Sequence, residues 1–203
     1  DGYLNDSFSI DEYEGNLRLV TTVRPIVSYD DDGIMPLWQG IMPRSMEGAR
    51  IAEDTETSRE EQDSNSLYVL DENLKELARI EGLAEDERVY SARFMGDAGY
   101  FVTFRETDPL FSVDLSDPEN PKIIGELKIP GFSDYLHPYG DGKLLGIGMD
   151  VDEEGMTTNG VKLSMFDISD PANVKEAHKY VLEGTYSTDV TYNYKAAFVD
   201  VKK

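Results

Sequence analysis

The sequence predicts an all-β fold, a β-propeller of four-stranded antiparallel blades, with about three and a half blades in its 203 residues. Three observations predict it. A strand-and-turn anchor recurs, each anchor leads into a second alternating run, and Gly-Asp turns recur between anchors.

The anchors are Ser66-Leu67-Tyr68-Val69-Leu70-Asp71, Leu110-Phe111-Ser112-Val113-Asp114-Leu115-Ser116-Asp117-Pro118 and Leu163-Ser164-Met165-Phe166-Asp167-Ile168-Ser169-Asp170-Pro171. Asp71 and Asp114 are 43 residues apart, Asp114 and Asp167 53. The extra length matches an acidic, Gly-containing stretch at 151–160, which reads as a loop insertion. Each anchor alternates apolar and polar residues and ends in Ser-Asp-Pro or Asp-Glu-Asn. The chain then resumes alternation, as in Ile123-Ile124-Gly125-Glu126-Leu127-Lys128-Ile129, giving strand, turn, strand. Gly96-Asp97 and Gly140-Asp141, 44 residues apart, are the hairpin turns that join two further strands per period.

In chain order, blade 1 covers about 7–82. Its strands begin at Phe8-Ser9-Ile10 and Leu17-Arg18-Leu19-Val20 around a turn at Glu14-Gly15-Asn16, and an insertion at 25–63 delays its second half. Asn73 to Arg79 has a helical look, but its place in the repeat makes it an outer strand. Blade 2 covers about 89–131, with strands Tyr90 to Phe94 and Tyr100 to Phe104 ahead of its anchor. Blade 3 covers about 133–184, with Tyr135 to Tyr139 and Leu144 to Gly148 ahead of its own. A half blade at 186–203 supplies Thr188 to Tyr192 and Ala197 to Val201 as strands. A β-sandwich also spaces its strands this closely. It gives no reason for the Asp-x-Ser-Asp-Pro turn to recur with its flanking strands.

The phase of the anchors places Val69, Val113 and Phe166 in equivalent buried positions. Asp114, Asp117, Asp167 and Asp170 are read as turn formers whose carboxylates accept backbone N–H groups. The last repeat stops after two strands, so the expectation is either a longer polypeptide whose remaining blades close the ring, or burial of the open blade against a second copy.

With 41 acidic and 19 basic residues the net charge is −22, which disfavours nucleic acid and anionic lipid as partners. Apolar runs such as Lys143 to Met149 are far below the roughly 20 residues of a membrane-spanning segment. There is no cysteine, which removes disulfides and thiolate metal sites.

Asp150, Asp152 and Glu154 alternate ahead of Gly155, the pattern by which tight loops wrap oxygen ligands around Ca²⁺. The competing reading is an acidic, solvated hairpin tip, and Val161 stands where an EF-hand has its bidentate glutamate. Asp30-Asp31-Asp32-Gly33 is a second acidic cluster, inside the long insertion. That insertion also carries the chain's one tryptophan, and Leu37, Trp38 and Ile41 make it a candidate partner-binding loop. His137 with Ser133 and Asp134 falls along one strand, whereas a catalytic triad needs convergence from separate elements. Two histidines without cysteine disfavour zinc.

Phe8 to Tyr13, Val102 to Leu110, Leu127 to Tyr139 and Leu163 to Pro171 together resemble the bacterial and archaeal secreted proteins with a C-terminal β-propeller domain distantly related to WD40 repeats. The resemblance spans nearly the whole chain except 25–63. It implies an exported, secreted or cell-surface propeller and brings no catalytic residues with it.

The reading that results is an extracellular non-enzymatic binding or scaffold module whose partner is a protein or glycan. Its alternatives are a carboxylate-based hydrolase or lyase on the same scaffold, and a Ca²⁺-dependent adhesion domain.

Overall fold

The computed structural model describes residues 2–23, 64–84, 87–104, 108–152 and 158–200. Among them are twelve strands in three antiparallel four-stranded sheets. The first sheet holds β1 (Ile10–Tyr13), β2 (Asn16–Val23), β3 (Ser64–Leu70) and β4 (Glu76–Leu83). The second holds β5 (Arg88–Met95), β6 (Ala98–Phe104), β7 (Asp108–Asp114) and β8 (Lys122–Ile129). The third holds β9 (Phe132–Pro138), β10 (Lys143–Val151), β11 (Thr158–Asp167) and β12 (Lys175–Glu183). Each sheet runs in chain order from its first to its fourth strand, the up-and-down blade that the repeat predicts.

Turn chemistry sets the strand ends. Asp114 Oδ1 accepts from Ser116 N at 2.9 Å and Asp117 Oδ1 from Glu119 N at 3.0 Å. Asp167 and Asp170 repeat the pattern with Ser169 N at 3.0 Å and Ala172 N at 3.1 Å. These are Asx turns, as expected from the recurring Ser-Asp-Pro. At the first anchor, Asp71 Oδ1 binds Asn73 N at 2.9 Å and Lys75 N at 2.8 Å, so the outer strand starts at Glu76 and not at Asn73.

Adjacent sheets bury one core each. Val20, Leu67, Val69, Val89, Phe101 and Val113 fill the space between the first two, and Tyr100, Leu110, Leu136, Leu144 and Phe166 that between the second and third. Val69, Val113 and Phe166 are all at most 1% exposed. Their equivalence holds only in part. Val113 opposes Gly99 and Phe166 opposes Leu144, matching positions one blade apart, but the residue opposite Leu17 at that position is Leu70. Val69 is one residue out of phase and meets Val113 from the other side of the shared core, because side chains alternate faces along a strand.

Three further expectations change. Phe8 and Ser9 precede β1, held in a turn by Asp6 Oδ1, which accepts their N–H groups at 2.8 and 3.0 Å. The insertion expected at 151–160 is shorter: β10 runs through Val151, β11 starts at Thr158, and Asp150 pairs with Gly160. Among the described residues, the half blade holds no strand. Asp189–Thr191 and Tyr194–Ala196 are single 3-10 turns, capped by Thr188 Oγ1 on Val190 N and by Asn193 Oδ1 on Lys195 N. Short polar side chains that bond their own backbone compete with a ladder, and a lone hairpin has little to hold it extended.

Candidate functional site

The first strands of the second and third sheets, β5 and β9, lie against each other. Ser91 Oγ donates to the Ser133 carbonyl at 2.6 Å, and Arg93 Nε donates to the Leu136 carbonyl at 2.8 Å. Arg93 also stacks, its guanidinium carbon 3.8 Å from the centre of the Phe8 ring just ahead of β1 and 5.5 Å from that of Tyr135. All three blades therefore meet at one cluster. Phe8 faces Tyr135 at 5.7 Å between ring centres and meets Tyr194 edge-on at 4.9 Å.

Both strands carry a bulge at the same point. Val89 pairs with Thr103 and Ser91 with Val102, so Tyr90 is the extra residue of β5. Tyr135 pairs with Ile147 and Ser133 with Gly148, so Asp134 is the extra residue of β9. A bulge re-aims its residue out of the alternation of the strand. Asp134 is thereby half-buried, and loss of solvation raises its pKa to about 6, opposed by the Thr191 hydroxyl 3.4 Å away.

The neighbouring histidine behaves in the opposite sense. Burial, followed by the charge of Arg93, lowers the pKa of His137, whose Nδ1 lies 2.8 Å from the Tyr135 hydroxyl. Arg93 itself is lowered by burial, against the favourable Tyr135 and Asp6. The arrangement offers aromatic faces, a guanidinium whose edge is spent on a carbonyl, and one carboxyl that changes charge between acidic and neutral pH.

The residues expected from sequence fall elsewhere. Asp150, the last residue but one of β10, is a buried carboxylate bonded by Lys179 Nζ and by Asn159 Nδ2, both at 3.1 Å. Asp152 follows it, half-buried, and Glu154 lies outside the described residues. Among the described residues no group of three or more His, Asp or Glu side chains is placed to hold a metal ion. Leu37, Trp38 and Ile41 lie outside the described residues too. His178 is exposed on β12. Ser133 does not face His137 as a nucleophile would, since His137 is turned to Tyr135. Sequence reasoning missed Arg93, Phe8 and the bulge at Asp134. The 44-residue spacing of Tyr90 and Asp134 was present, but an extra residue shows only in the pairing register.

A family model described as a beta propeller domain matches residues 1–203. An uncharacterized protein of Archaeoglobus fulgidus is 44% identical over 199 residues, covering 98% of this chain and 25% of the relative. An uncharacterized protein of Methanocaldococcus jannaschii is 40% identical over 186 residues, covering 92% of this chain and 24% of the relative. The chain thus spans about a quarter of the length of these curated relatives. Three meandering four-stranded sheets and a family match along the full sequence place the chain in the beta propeller domain family.

Proposed function

We propose that this domain is a non-enzymatic binding or scaffold module acting outside the cytoplasm on a protein or glycan, with the cluster around Arg93 as its contact surface. One observation carries the reading: the polar groups where the blades meet are engaged with one another. Arg93 is held by the Leu136 carbonyl and the Phe8 ring, and the Tyr135 hydroxyl by His137. Such a surface offers a guest the part-exposed Phe8 ring and the exposed Tyr194 ring, supported by the buried Tyr135, and keeps few groups for proton transfer. Glycan and peptide arrays probed with the domain test this. Phe8→Ala and Tyr135→Ala should remove the signal, and turnover of a glycan, ester or peptide by the purified protein would overturn it. Protease shaving of intact cells tests the location, since a protein that resists cleavage until lysis is not at the surface.

A second reading rests on Asp134. A carboxyl with a pKa of about 6 suits a general acid, so a carboxylate hydrolase is the rival. It requires turnover with a pH profile that Asp134→Asn abolishes.

A further inference from the structure

Two clefts occupy the same place in successive blade interfaces. Tyr13 pairs with Asn16 around Glu14-Gly15, and Met95 pairs with Ala98 around Gly96-Asp97. Counted from these turns, Arg18 opposite Asp11 and Tyr100 opposite Arg93 hold one position, each facing the following blade. The next blade closes each cleft with the same backbone bond: Leu115 N to the Asp97 carbonyl in one, Ile168 N to the Gly142 carbonyl in the other, both 2.8 Å.

The first cleft is full. Arg18 is 3% exposed, pairs with Asp11, and donates from Nη1 to the Gly96 carbonyl at 2.6 Å. Its guanidinium carbon lies 4.7 Å from the Tyr13 ring centre and 5.1 Å from that of Phe94. About 50 Å³ of space remains beside it.

The second cleft is open, about 460 Å³, within the range of a small-ligand site. Met95, Ala98, Ile168 and Pro171 give it an apolar floor, and Asp97, Asp114 and Asp170 stand in its wall. Tyr100, also in the wall, is 2% exposed, and among the described residues its hydroxyl has no hydrogen-bond partner. Burial raises its pKa, so it stays a phenol. The hydroxyl tip opens onto the cleft, free to bond a guest with a matching polar group. Of the nearby cations, Arg93 is committed to Leu136 and Phe8, and the exposed Lys122, directly opposite Asp114 across the strands, acts on that one carboxylate.

We propose that the cleft between the second and third blades receives an arginine side chain from a partner polypeptide, much as the first cleft receives Arg18. The stem lies on Met95, Ala98 and Ile168, and the guanidinium reaches the aspartates and the Tyr100 hydroxyl, the charge-assisted and planar contacts that suit arginine best. A net charge of −22 draws such a partner in. This deepens the binding-module reading and rests on it, naming the partner as a polypeptide with an accessible arginine.

The test is an amide NMR titration of the full chain with acetyl-Gly-Arg-Gly-amide, alongside the same peptide carrying citrulline or lysine. Saturable shifts at Ala98, Gly142 and Ile168 are expected for arginine. Citrulline should bind about tenfold or more weakly, as the loss of a charge-assisted pair requires. Asp97→Asn and Tyr100→Phe should each weaken binding by roughly threefold to tenfold. Tyr100→Arg fills the cleft from within and should abolish binding in a folded chain; if it does not fold, the two milder variants decide. No shifts at about 10 mM peptide, equal response to arginine and citrulline, or shifts only around Phe8 and Tyr135 overturn the inference. Glycan binding without an arginine response overturns it while sparing the binding-module reading, which only turnover defeats.

Discussion

Asn65 on β3 and Thr22 on β2 are bonded side chain to side chain at 2.7 Å, and both are buried. Asn65 Nδ2 also donates to the carbonyls of Leu83, Ala84 and Glu87 at 2.8, 3.2 and 2.8 Å, and Oδ1 accepts from Val89 N at 3.3 Å. One amide thus ties the end of β4 and the connector to β5. Asn65→Ala should cost about 3 kcal/mol or more, because several buried backbone groups lose their partner at once. Denaturant melts check it; a loss under about 1 kcal/mol would show that water replaces the amide.

Phe166→Ala should cost about 3–5 kcal/mol and Val113→Ala about 2, the larger cavity giving the larger loss. Since the two lie in different inter-blade cores, their effects should add. A strongly non-additive double variant would mean that the cores are one.

Asp134 ties stability to pH. Its folded pKa of about 6 lies above the ordinary 3.8, so the neutral form is the one the fold favours. That contribution is complete below about pH 4 and is lost as pH rises through 6. Asp134→Asn should therefore raise stability by up to about 3 kcal/mol at pH 8 and change little at pH 4. Thermal melts at both pH values read this directly, and an equal effect at both would contradict it.

The turn aspartates act in the opposite direction. Hydrogen bonds lower Asp71 (chiefly from Lys75 N), Asp114 (from Ser116), Asp117 (from Asn120) and Asp167 (from Ser169). Their stabilisation is present above the ordinary carboxylate pKa of 3.8 and disappears as pH falls through the lower folded values. Asp117→Ala should lower the melting temperature at pH 7, with a smaller difference from the parent near pH 2. Loss of ligand binding with an unchanged melting temperature would assign Asp117 to a site instead.

Much of this fold was legible because its signals are local. A Ser-Asp-Pro turn needs only its own carboxylate and the next few amides, so Asp114 and Asp167 marked strand ends correctly. What depends on pairing between strands was not legible. Val69 is buried as expected yet out of phase with Val113, because it stands two residues before its turn aspartate where Val113 and Phe166 stand one before theirs, and a one-residue offset changes the face. The Thr188 to Tyr192 segment has β-prone residues, but Thr188 and Asn193 satisfy their own backbone instead. The clefts at Arg18 and Tyr100 emerge only once two sheets are set side by side.

The bulge shared by β5 and β9 has an evolutionary consequence. If successive blades descend from copies of one unit, the extra residue was copied with its backbone, and the side chain it displays then diverged to tyrosine at 90 and aspartate at 134. On such a descent the geometry is inherited while the chemistry drifts. New recognition properties can then arise by single substitutions at these two points, without the insertions or deletions that would throw a strand out of register and turn its buried face to water.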